Sequence, residues 1–448
     1  MMMKDNTEKI DIHAVLENKT ISCPCGRPHV ASVKEVVIER GAIARVPGII
    51  RKHGGSRPFL IADRNTFEAA GEALCSYLQM ENLPFSKYVF EHSPEPNELA
   101  VGQVAMQYDT RCDFILGVGS GTINDISKII AHMTGLPFMI AGTAPSMDGY
   151  ASATSSVIQD GIKHSLNTVC PTIIVADLDI MCRAPVKLLR AGLGDMLAKY
   201  ISICEWRLSH LINGEYYCEE VAALVRCALK KCISVGDLSD MNPETVRPIV
   251  EGLIISGMAM DMAGLSRPAS GMEHYFSHIW DMRSLEFHSP SDLHGIQCGV
   301  GTLLCLRIYQ FIRSVVPNRE KAMDCVRNFR LDEWNRFLVD FLGKGAQGLI
   351  EIEKKEKKYD LNSHQKRLEV ILAHWADILQ IFSEELPGYD QVEQFMRKHG
   401  MPVSPLELGH SDAEVRDTLT VTKDIREKYI ASRLLWDLGL LDEARAHL

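Results

Sequence analysis

Phe114-Ile-Leu-Gly-Val-Gly-Ser-Gly-Thr-Ile-Asn-Asp-Ile-Ser-Lys128 is the stretch of this sequence that decides the fold. It begins as an apolar run typical of a buried strand, passes through three glycines, and continues with isoleucines spaced to line one face of a helix. Glycines let a backbone approach a phosphate, and the N–H groups at a helix start favour an anion. The stretch therefore predicts a pyrophosphate site, although its spacing is not G-x-G-x-x-G and a glycine turn without a ligand is also common.

The chain on both sides of this stretch alternates between short apolar runs and helical patterns. The runs typical of buried strands lie at residues 34–42, 59–62, 88–90, 138–141 and 172–176. Such alternation predicts a parallel, doubly wound sheet. After about residue 180 strand patterns nearly vanish and long helical patterns take over. The sequence therefore predicts a dinucleotide-binding α/β domain with a Rossmann-like sheet at residues 1–179 and an all-α domain at residues 180–448.

Length and composition limit the classes of function. The chain has 448 residues, enough for two or three domains, and a net charge of −10, which disfavours nucleic acid and anionic membranes as general partners. No window approaches 18 uninterrupted apolar residues, so no membrane span is expected. Thirteen scattered cysteines and the lack of an apolar signal core near the start favour reduced thiols and a cytoplasmic location.

Asp63 ends one of the predicted strands and has two interpretations. A carboxylate at this point of a doubly wound sheet can bind both hydroxyls of an adenosine ribose, which favours NAD over NADP. The surrounding Asp-Arg-Asn-Thr is also rich in residues that cap helices. The sequence leaves both open.

A second polar feature is Cys23-Pro-Cys25-Gly-Arg-Pro-His29. A C-x-C pair with a nearby histidine can bind zinc. No second cysteine pair follows at metal-site spacing, so a tight turn before a strand is the favoured interpretation.

The helical half contains residues of metal-ligand type at three places. Asp195 follows two glycines near a helix start, His274 and His278 are four residues apart and share a helix face, and His294 begins a further helix. One aspartate and two or three histidines can hold a divalent cation with a position left open for substrate. The alternatives are core histidines and an ordinary helical ion pair between Asp195 and Lys199.

Four motifs carry a resemblance to a known family. Gly-Ser-Gly-Thr-Ile-Asn-Asp125, Thr-Ala-Pro-Ser146-Met-Asp148-Gly, Gly-Asp195-Met-Leu-Ala-Lys199 and His274-Tyr-Phe-Ser-His278 occur in the family's order. With them the chain resembles the sn-glycerol-1-phosphate dehydrogenases, and most closely the bacterial branch, over nearly its whole length. The resemblance implies the dehydroquinate synthase-like fold that glycerol dehydrogenase and the iron-containing alcohol dehydrogenases share.

The resemblance also implies roles for individual residues. Asp195, His274 and His294 match the family's metal ligands, with Zn²⁺ or Ni²⁺ as the ion. His278 and Asp148 match substrate-lining positions, His278 being the candidate for proton delivery, and Lys199 is a candidate for the substrate phosphate. The positions that match cofactor contacts are Asp63, Gly119, Ser120, Gly121, Thr122, Asn124, Asp125, Thr143, Ser146 and Ser152.

The function implied by the resemblance is reversible, metal-dependent reduction of dihydroxyacetone phosphate to sn-glycerol 1-phosphate with NAD(P)H, in a homodimer. A glycerol or other polyol dehydrogenase of the same fold is the alternative. A lyase like dehydroquinate synthase is disfavoured, because that class uses a Glu-His-His ligand set and the first ligand here is Asp195. From a different class, a catalytically silent nucleotide-binding protein is disfavoured by the intact ligand set.

Overall fold

The structure is a computed structural model that describes residues 12–17 and 21–448. Its strands within these residues are β1 Ile21–Ser22, β2 Pro28–His29, β3 Glu35–Glu39, β4 Pro58–Asp63, β5 Ser86–Phe90, β6 Phe114–Gly119, β7 Phe138–Gly142, β8 Thr154–Gln159, β9 Ile162–Asn167 and β10 Ile173–Asp177.

The α-helices are α1 Ile12–Glu17, α2 Val46–Lys52, α3 Arg64–Thr66, α4 Glu72–Met80, α5 Glu98–Gln107, α6 Gly121–Thr134, α7 Leu178–Met181, α8 Val186–Leu197, α9 Lys199–Asn213, α10 Glu219–Ile233, α11 Pro243–Ala263, α12 Met272–Phe287, α13 His294–Arg313, α14 Arg319–Arg327, α15 Leu331–Leu342, α16 Ala346–Glu356, α17 Leu361–Ala373, α18 Trp375–Glu385, α19 Tyr389–Lys398, α20 Asp412–Thr422, α21 Ala431–Asp437 and α22 Leu441–Arg445. Short 3₁₀ helices lie at Ala42–Arg45, Gly149–Ala151, Gly343–Gly345 and Pro405–Leu408, and a π-helical turn at Phe67–Gly71.

Six strands form one parallel sheet in the order β3-β10-β7-β6-β4-β5. Every residue of β4, β6, β7 and β10 is buried, as expected for a parallel sheet covered by helices on both faces. The predicted class, a parallel Rossmann-like sheet followed by a mostly helical part, is confirmed. Gly119 and Gly142 end the neighbouring strands β6 and β7 in register. The loops that follow these strands, which contain the predicted cofactor contacts, therefore begin at the same edge of the sheet.

Two of the three glycines of the opening stretch, Gly117 and Gly119, are required by close packing between β6 and α6. A Cβ atom at Gly119 would lie 2.6 Å from the Cβ of Ile123, and one at Gly117 would lie 2.7 Å from the Oγ of Ser127. Because contacts this short force neighbouring atoms to move, these positions favour glycine whether or not a ligand is bound. The glycines therefore fix the strand-to-helix turn itself.

A β-hairpin made by β8 and β9 was not predicted from the sequence. Its turn is Asp160-Gly161, with φ of 52° and 77°. Positive φ at both central residues is typical of the two-residue turns that match the twist of antiparallel strands. The dipeptide is the sequence signal that would have found the hairpin, whose strands are too polar to stand out as a hydrophobic run.

Chain contacts divide the molecule into two units at a different place from the predicted boundary at residue 179. The sheet unit contains the chain up to Met196 together with Glu219–Ser266, and the helical unit contains Leu197–Cys218 and Arg267–Leu448. The helices α10 and α11 therefore belong with the sheet. Gly257 in α11 shows the physical reason, since a Cβ atom there would lie 2.5 Å from the carbonyl oxygen of Asp148, in the loop after β7.

The described part of the helical unit contains helices and no strand, in agreement with the predicted helical region. Its helix α13 is long and apolar enough to cross a membrane by length and composition alone. Of the window that passes this test, 83% is buried inside the protein, as in the core helix of a globular domain.

Candidate functional site

The glycine turn presents a helix N-terminus at the edge of the sheet. Strand β6 ends at Gly119 and α6 begins at Gly121, with Ser120 between them. The Ser120 side chain makes no capping hydrogen bond to the first turn of α6, and Ser120, Gly121 and Thr122 are half-buried. N–H groups that lack such a cap are suited to bind an anion, and the helix dipole adds to the attraction.

Lys128, a buried residue for which the sequence suggested no role, fastens the loop after β7 to α6. The Nζ of Lys128 donates to the carbonyl oxygen of Gly149 at 2.5 Å, to that of Thr154 at 3.0 Å and to the Oγ of Ser152 at 3.2 Å. Asn124, one helical turn earlier, donates from Nδ2 to the same Gly149 oxygen at 3.1 Å. Asn124 and Lys128 are four residues apart and share one face of α6, and this polar pair was the available signal.

Asp125 lies on the same turn of α6, and its carboxylate is 3.8 Å from Lys128 Nζ. Burial raises the pKa of the Asp125 carboxyl to about 6, against the attraction of the Lys128 ammonium. Burial in turn lowers the pKa of Lys128, against the attraction of Asp125. This end of α6 therefore contains a titratable carboxyl beside a fully buried cation.

Two predicted site residues of the sheet unit, Asp148 and Asp195, are brought together. The backbone N–H of Asp148 donates to Oδ2 of Asp195 at 2.8 Å, and Ser256 donates from its hydroxyl to Oδ2 of Asp148 at 2.8 Å. Asp195 is fully buried and Asp148 is 8% exposed. Both carboxylates are thus oriented by hydrogen bonds from loop and helix.

The other predicted cofactor contacts lie in or beside these loops. Thr143 is joined to the glycine turn, because its N–H donates to the carbonyl oxygen of Gly119 at 3.1 Å. Ser146 and Ser152 are buried in the loop after β7.

Asp63 ends β4 and caps α3. Its Oδ1 accepts from the N–H of Thr66 at 3.0 Å, and the Thr66 hydroxyl bonds back to the Asp63 backbone in a capping box. The capping interpretation is confirmed, and the ribose contact stays a prediction.

Three histidines of the helical unit converge. The ring centroids of His274 and His294 are 5.0 Å apart, those of His278 and His294 are 5.7 Å apart, and those of His274 and His278 are 6.4 Å apart. His274 and His278 are one turn apart on α12, and His294 is the first residue of α13. The helical spacing read from the sequence therefore corresponds to a real cluster.

The neighbours of these histidines fit a metal site. Nδ1 of His274 is 2.7 Å from Oε1 of Glu273, and Nδ1 of His294 is 2.9 Å from the hydroxyl of Ser277. Partners on Nδ1 fix the orientation of each ring, as is usual for metal-binding histidines. The ligand atoms of His274, His294 and Cys298 lie within 4.8 Å of one another, so Cys298, which the sequence did not suggest, joins the group.

A second buried carboxylate lies near Glu273. Glu205 accepts from the N–H groups of Met272 at 2.8 Å and Ala431 at 2.9 Å, and its pKa is raised to about 8 by burial and by the charge of Glu273. One atom of Glu273, Oε2, has no hydrogen-bond partner among the described residues. Two acidic side chains therefore lie in this interior, and the raised pKa of Glu205 lets that carboxyl keep its proton near neutral pH.

Lys199 is also buried. Its Nζ donates to the carbonyl oxygen of Ala269 at 3.1 Å within the helical unit. Its predicted contact with a substrate phosphate stays a prediction.

Comparison with known proteins places these features in context. Residues 37–185 match the family model described as iron-containing alcohol dehydrogenase. Glycerol-1-phosphate dehydrogenase (NAD(P)+) of Halalkalibacterium halodurans is 28% identical over 424 residues, which cover 93% of this chain and 96% of the relative. The enzyme of the same name from Bacillus velezensis is 36% identical over 303 residues, which cover 66% of this chain and 76% of the relative.

Solved structures show the same fold. A probable glycerol dehydrogenase from Sinorhizobium meliloti matches with a TM-score of 0.59 at 16% identity, over 93% of this chain and 98% of that one. At this identity the match is evidence of a common fold and not of a common substrate.

Proposed function

Because the chain belongs to the glycerol-1-phosphate dehydrogenase family of NAD(P)-dependent oxidoreductases, we propose that it reduces dihydroxyacetone phosphate to sn-glycerol 1-phosphate. The observation that carries the proposal is the match to relatives of that name over up to 96% of the chain. In the reduction, hydride from C4 of the dihydronicotinamide adds to the ketone carbon and a proton adds to its oxygen. The product is an alcohol, and the same groups serve the reverse oxidation.

We further propose that Asp195, His274 and His294 hold one divalent cation. Two observations support this proposal. His274 and His294 converge in the helical unit, and the carboxylate of Asp195 in the sheet unit is buried and oriented by a hydrogen bond. Imidazole and carboxylate ligands suit either nickel or zinc. When bound, the cation would supply Lewis-acid stabilisation of charge on the substrate oxygen.

The sheet unit is proposed to bind the cofactor. The N-terminus of α6 would receive the pyrophosphate at Gly119, Ser120, Gly121 and Thr122, and Asp63 would bind the adenosine ribose. Lys128 and Asn124 hold Gly149 and so shape the loop that carries the predicted contacts at Ser146 and Ser152. On this proposal Asn124 and Asp125 contribute to cofactor binding partly by supporting the loop after β7, Asn124 through Gly149 and Asp125 through Lys128.

Three residues are proposed to act on the substrate. Asp148, whose carboxylate is fixed by Ser256, would orient a substrate hydroxyl. His278, half-buried at the histidine cluster, would deliver the proton to the substrate oxygen, directly or through water. Lys199 is proposed for the substrate phosphate. The homodimer and the cytoplasmic location also stay predictions.

The test is the configuration of the product and its dependence on metal. The purified enzyme is stripped with a chelator, reloaded with Ni²⁺ or Zn²⁺, and given NADH and dihydroxyacetone phosphate. We expect activity to be lost on stripping and restored on reloading, and the product to resist an enzyme specific for sn-glycerol 3-phosphate. Oxidation of the product by the enzyme specific for sn-glycerol 3-phosphate would contradict the proposed function. Full activity after verified metal removal would contradict the proposed metal dependence.

A further inference from the structure

The proposed function leaves one motif unused, the small hairpin formed by β1 and β2. Ile21 pairs with His29 and Ser22 with Pro28, and the loop between them contains Cys23 and Cys25. Gly26 turns the chain with a φ of 79°, and its N–H donates to the carbonyl oxygen of Cys23 at 3.0 Å. Two-residue strands make too few hydrogen bonds to be stable on their own, so other interactions must hold this hairpin in place.

Three side chains of the hairpin converge on one point. The ligand atoms of Cys23, Cys25 and His29 lie within 4.8 Å of one another, and Sγ of Cys25 is 3.2 Å from Nε2 of His29. With bonds of about 2.3 Å to sulfur and about 2.0 Å to nitrogen, tetrahedral zinc holds its ligand atoms about 3.5–3.8 Å apart. The observed Cys25–His29 separation is a few tenths of an ångström from that geometry.

The orientation of the His29 ring is fixed by a partner on its other nitrogen. Nδ1 of His29 is 3.0 Å from the carbonyl oxygen of Met262, near the end of α11. A carbonyl oxygen only accepts hydrogen bonds, so Nδ1 carries the proton and the lone pair of Nε2 faces Cys25. This is the tautomer and the support that metal-binding histidines usually have.

The burial of the three residues is also suited to a bound ion. His29 is 1% exposed and Cys23 is 8% exposed, whereas Cys25 is half-buried and opens the group to solvent. A hydrogen bond between the Cys25 thiol and His29 would explain that one contact. It does not explain why a second sulfur, that of Cys23, lies within the same small radius.

We propose that Cys23, Cys25 and His29 bind a structural Zn²⁺, separate from the cation proposed at Asp195, His274 and His294. Two thiolates and an imidazole are a ligand set that selects zinc, and the fourth tetrahedral position takes one further ligand. Because His29 bonds to Met262 and Ser32 donates to both carboxylate oxygens of Asp261 at 2.6 and 3.0 Å, the ion would fasten the hairpin to the end of α11.

Metal content of the full-length chain tests the proposal. The parent is the His274→Ala variant, in which the active-site cation is weakened, and the test variant adds Cys25→Ser. The matched control adds Cys182→Ser instead, a half-buried thiol of the same unit outside the hairpin. We expect the parent and the control to retain about one zinc per chain after gel filtration and the Cys25→Ser variant to retain almost none.

A cobalt spectrum gives a second measurement that does not depend on the Cys25→Ser variant folding correctly. The folded wild type is loaded with Co²⁺, and thiolate ligation is read from its sulfur-to-cobalt charge-transfer absorption. The comparison uses the Cys298→Ser background, which removes the sulfur beside His274 and His294. We expect the band in wild type and in Cys298→Ser, and its loss when Cys25→Ser is added to Cys298→Ser with NADH binding retained. Equal zinc in the parent and the Cys25→Ser variant, a wild type without the band, or a Cys23–Cys25 disulfide in the isolated protein would overturn the proposal.

Discussion

The two units hold their candidate functional groups by different means. In the sheet unit, one buried cation, Lys128, gathers backbone carbonyl oxygens of the loop after β7, and the anion-binding groups are backbone N–H groups. In the helical unit, the candidate ligands are side chains, and each imidazole is oriented by another side chain, Glu273 or Ser277. The difference matches the proposed ligands, since the first arrangement suits a phosphate and the second a metal ion.

This difference predicts that the loss of a single side chain lowers activity most in the helical unit. His274→Ala removes a proposed ligand, and the lost Lewis-acid stabilisation of several kcal/mol corresponds to about a thousandfold lower kcat/KM. Metal content measured together with steady-state kinetics checks this. The control is His374→Ala, an exposed histidine of the same unit bonded to Asp377, and unchanged metal content in His274→Ala would break the comparison.

The charged pair of the sheet unit predicts a dependence of stability on pH. The folded pKa of Asp125, about 6, is raised above its unfolded value, so its contribution to stability is fully present below about pH 4 and is lost as the pH rises through about 6. The wild type should lose up to about 3 kcal/mol of unfolding free energy over this range relative to Asp125→Asn. Denaturant unfolding of both proteins across the range measures the difference, and parallel curves would contradict the assignment.

The helical unit should also be sensitive to the partner of His274. Glu273→Gln keeps the size of the side chain and removes the charge beside Nδ1, so we expect metal affinity or kcat/KM to fall about 10–100-fold. Competition with a metal indicator gives the affinity. Glu333→Gln, an exposed position on α15, is the control. An affinity like that of the control would mean that the carboxylate only fills space.

The smallest predicted effect separates the two interpretations of Asp63. Asp63→Ala and Asn97→Ala each remove a helix cap in the sheet unit, and each should cost about 1 kcal/mol of stability. Asp63→Ala alone should also raise the KM for NADH and improve the relative use of NADPH. Equal coenzyme preference in the two variants would leave Asp63 as a cap only.

Much of the fold was predictable because its signals are local. Buried parallel strands appear as apolar runs, so the sheet from β3 to β10 was found, and the close packing of Gly117 and Gly119 explains the glycine stretch. The β8–β9 hairpin was missed because its strands are polar, so that Asp160-Gly161 was its main signal in the sequence. The boundary at residue 179 differs from the contact-based division because α10 and α11 join the sheet unit through packing that sequence order does not show.

The sequence predicted which residues belong to the candidate site better than it predicted the contacts between them. Spacing on α12 predicted that His274 and His278 share a face, and the structure adds that His294 joins them. The roles of Lys128, Glu273 and Cys298 were missed, because their partners are set by the return of distant chain segments or by side-chain direction. Lys128 in particular bonds to residues 21–26 positions away in the sequence.

Selectivity for a phosphorylated ketone is the property that separates the proposed reaction from its alternative, and one substrate comparison measures it. NADH oxidation is followed spectrophotometrically with dihydroxyacetone phosphate, dihydroxyacetone and simple aldehydes side by side, using metal-loaded enzyme. We expect the highest kcat/KM for dihydroxyacetone phosphate. Reaction with the unphosphorylated ketone alone would contradict it and make the protein a polyol dehydrogenase of the same fold.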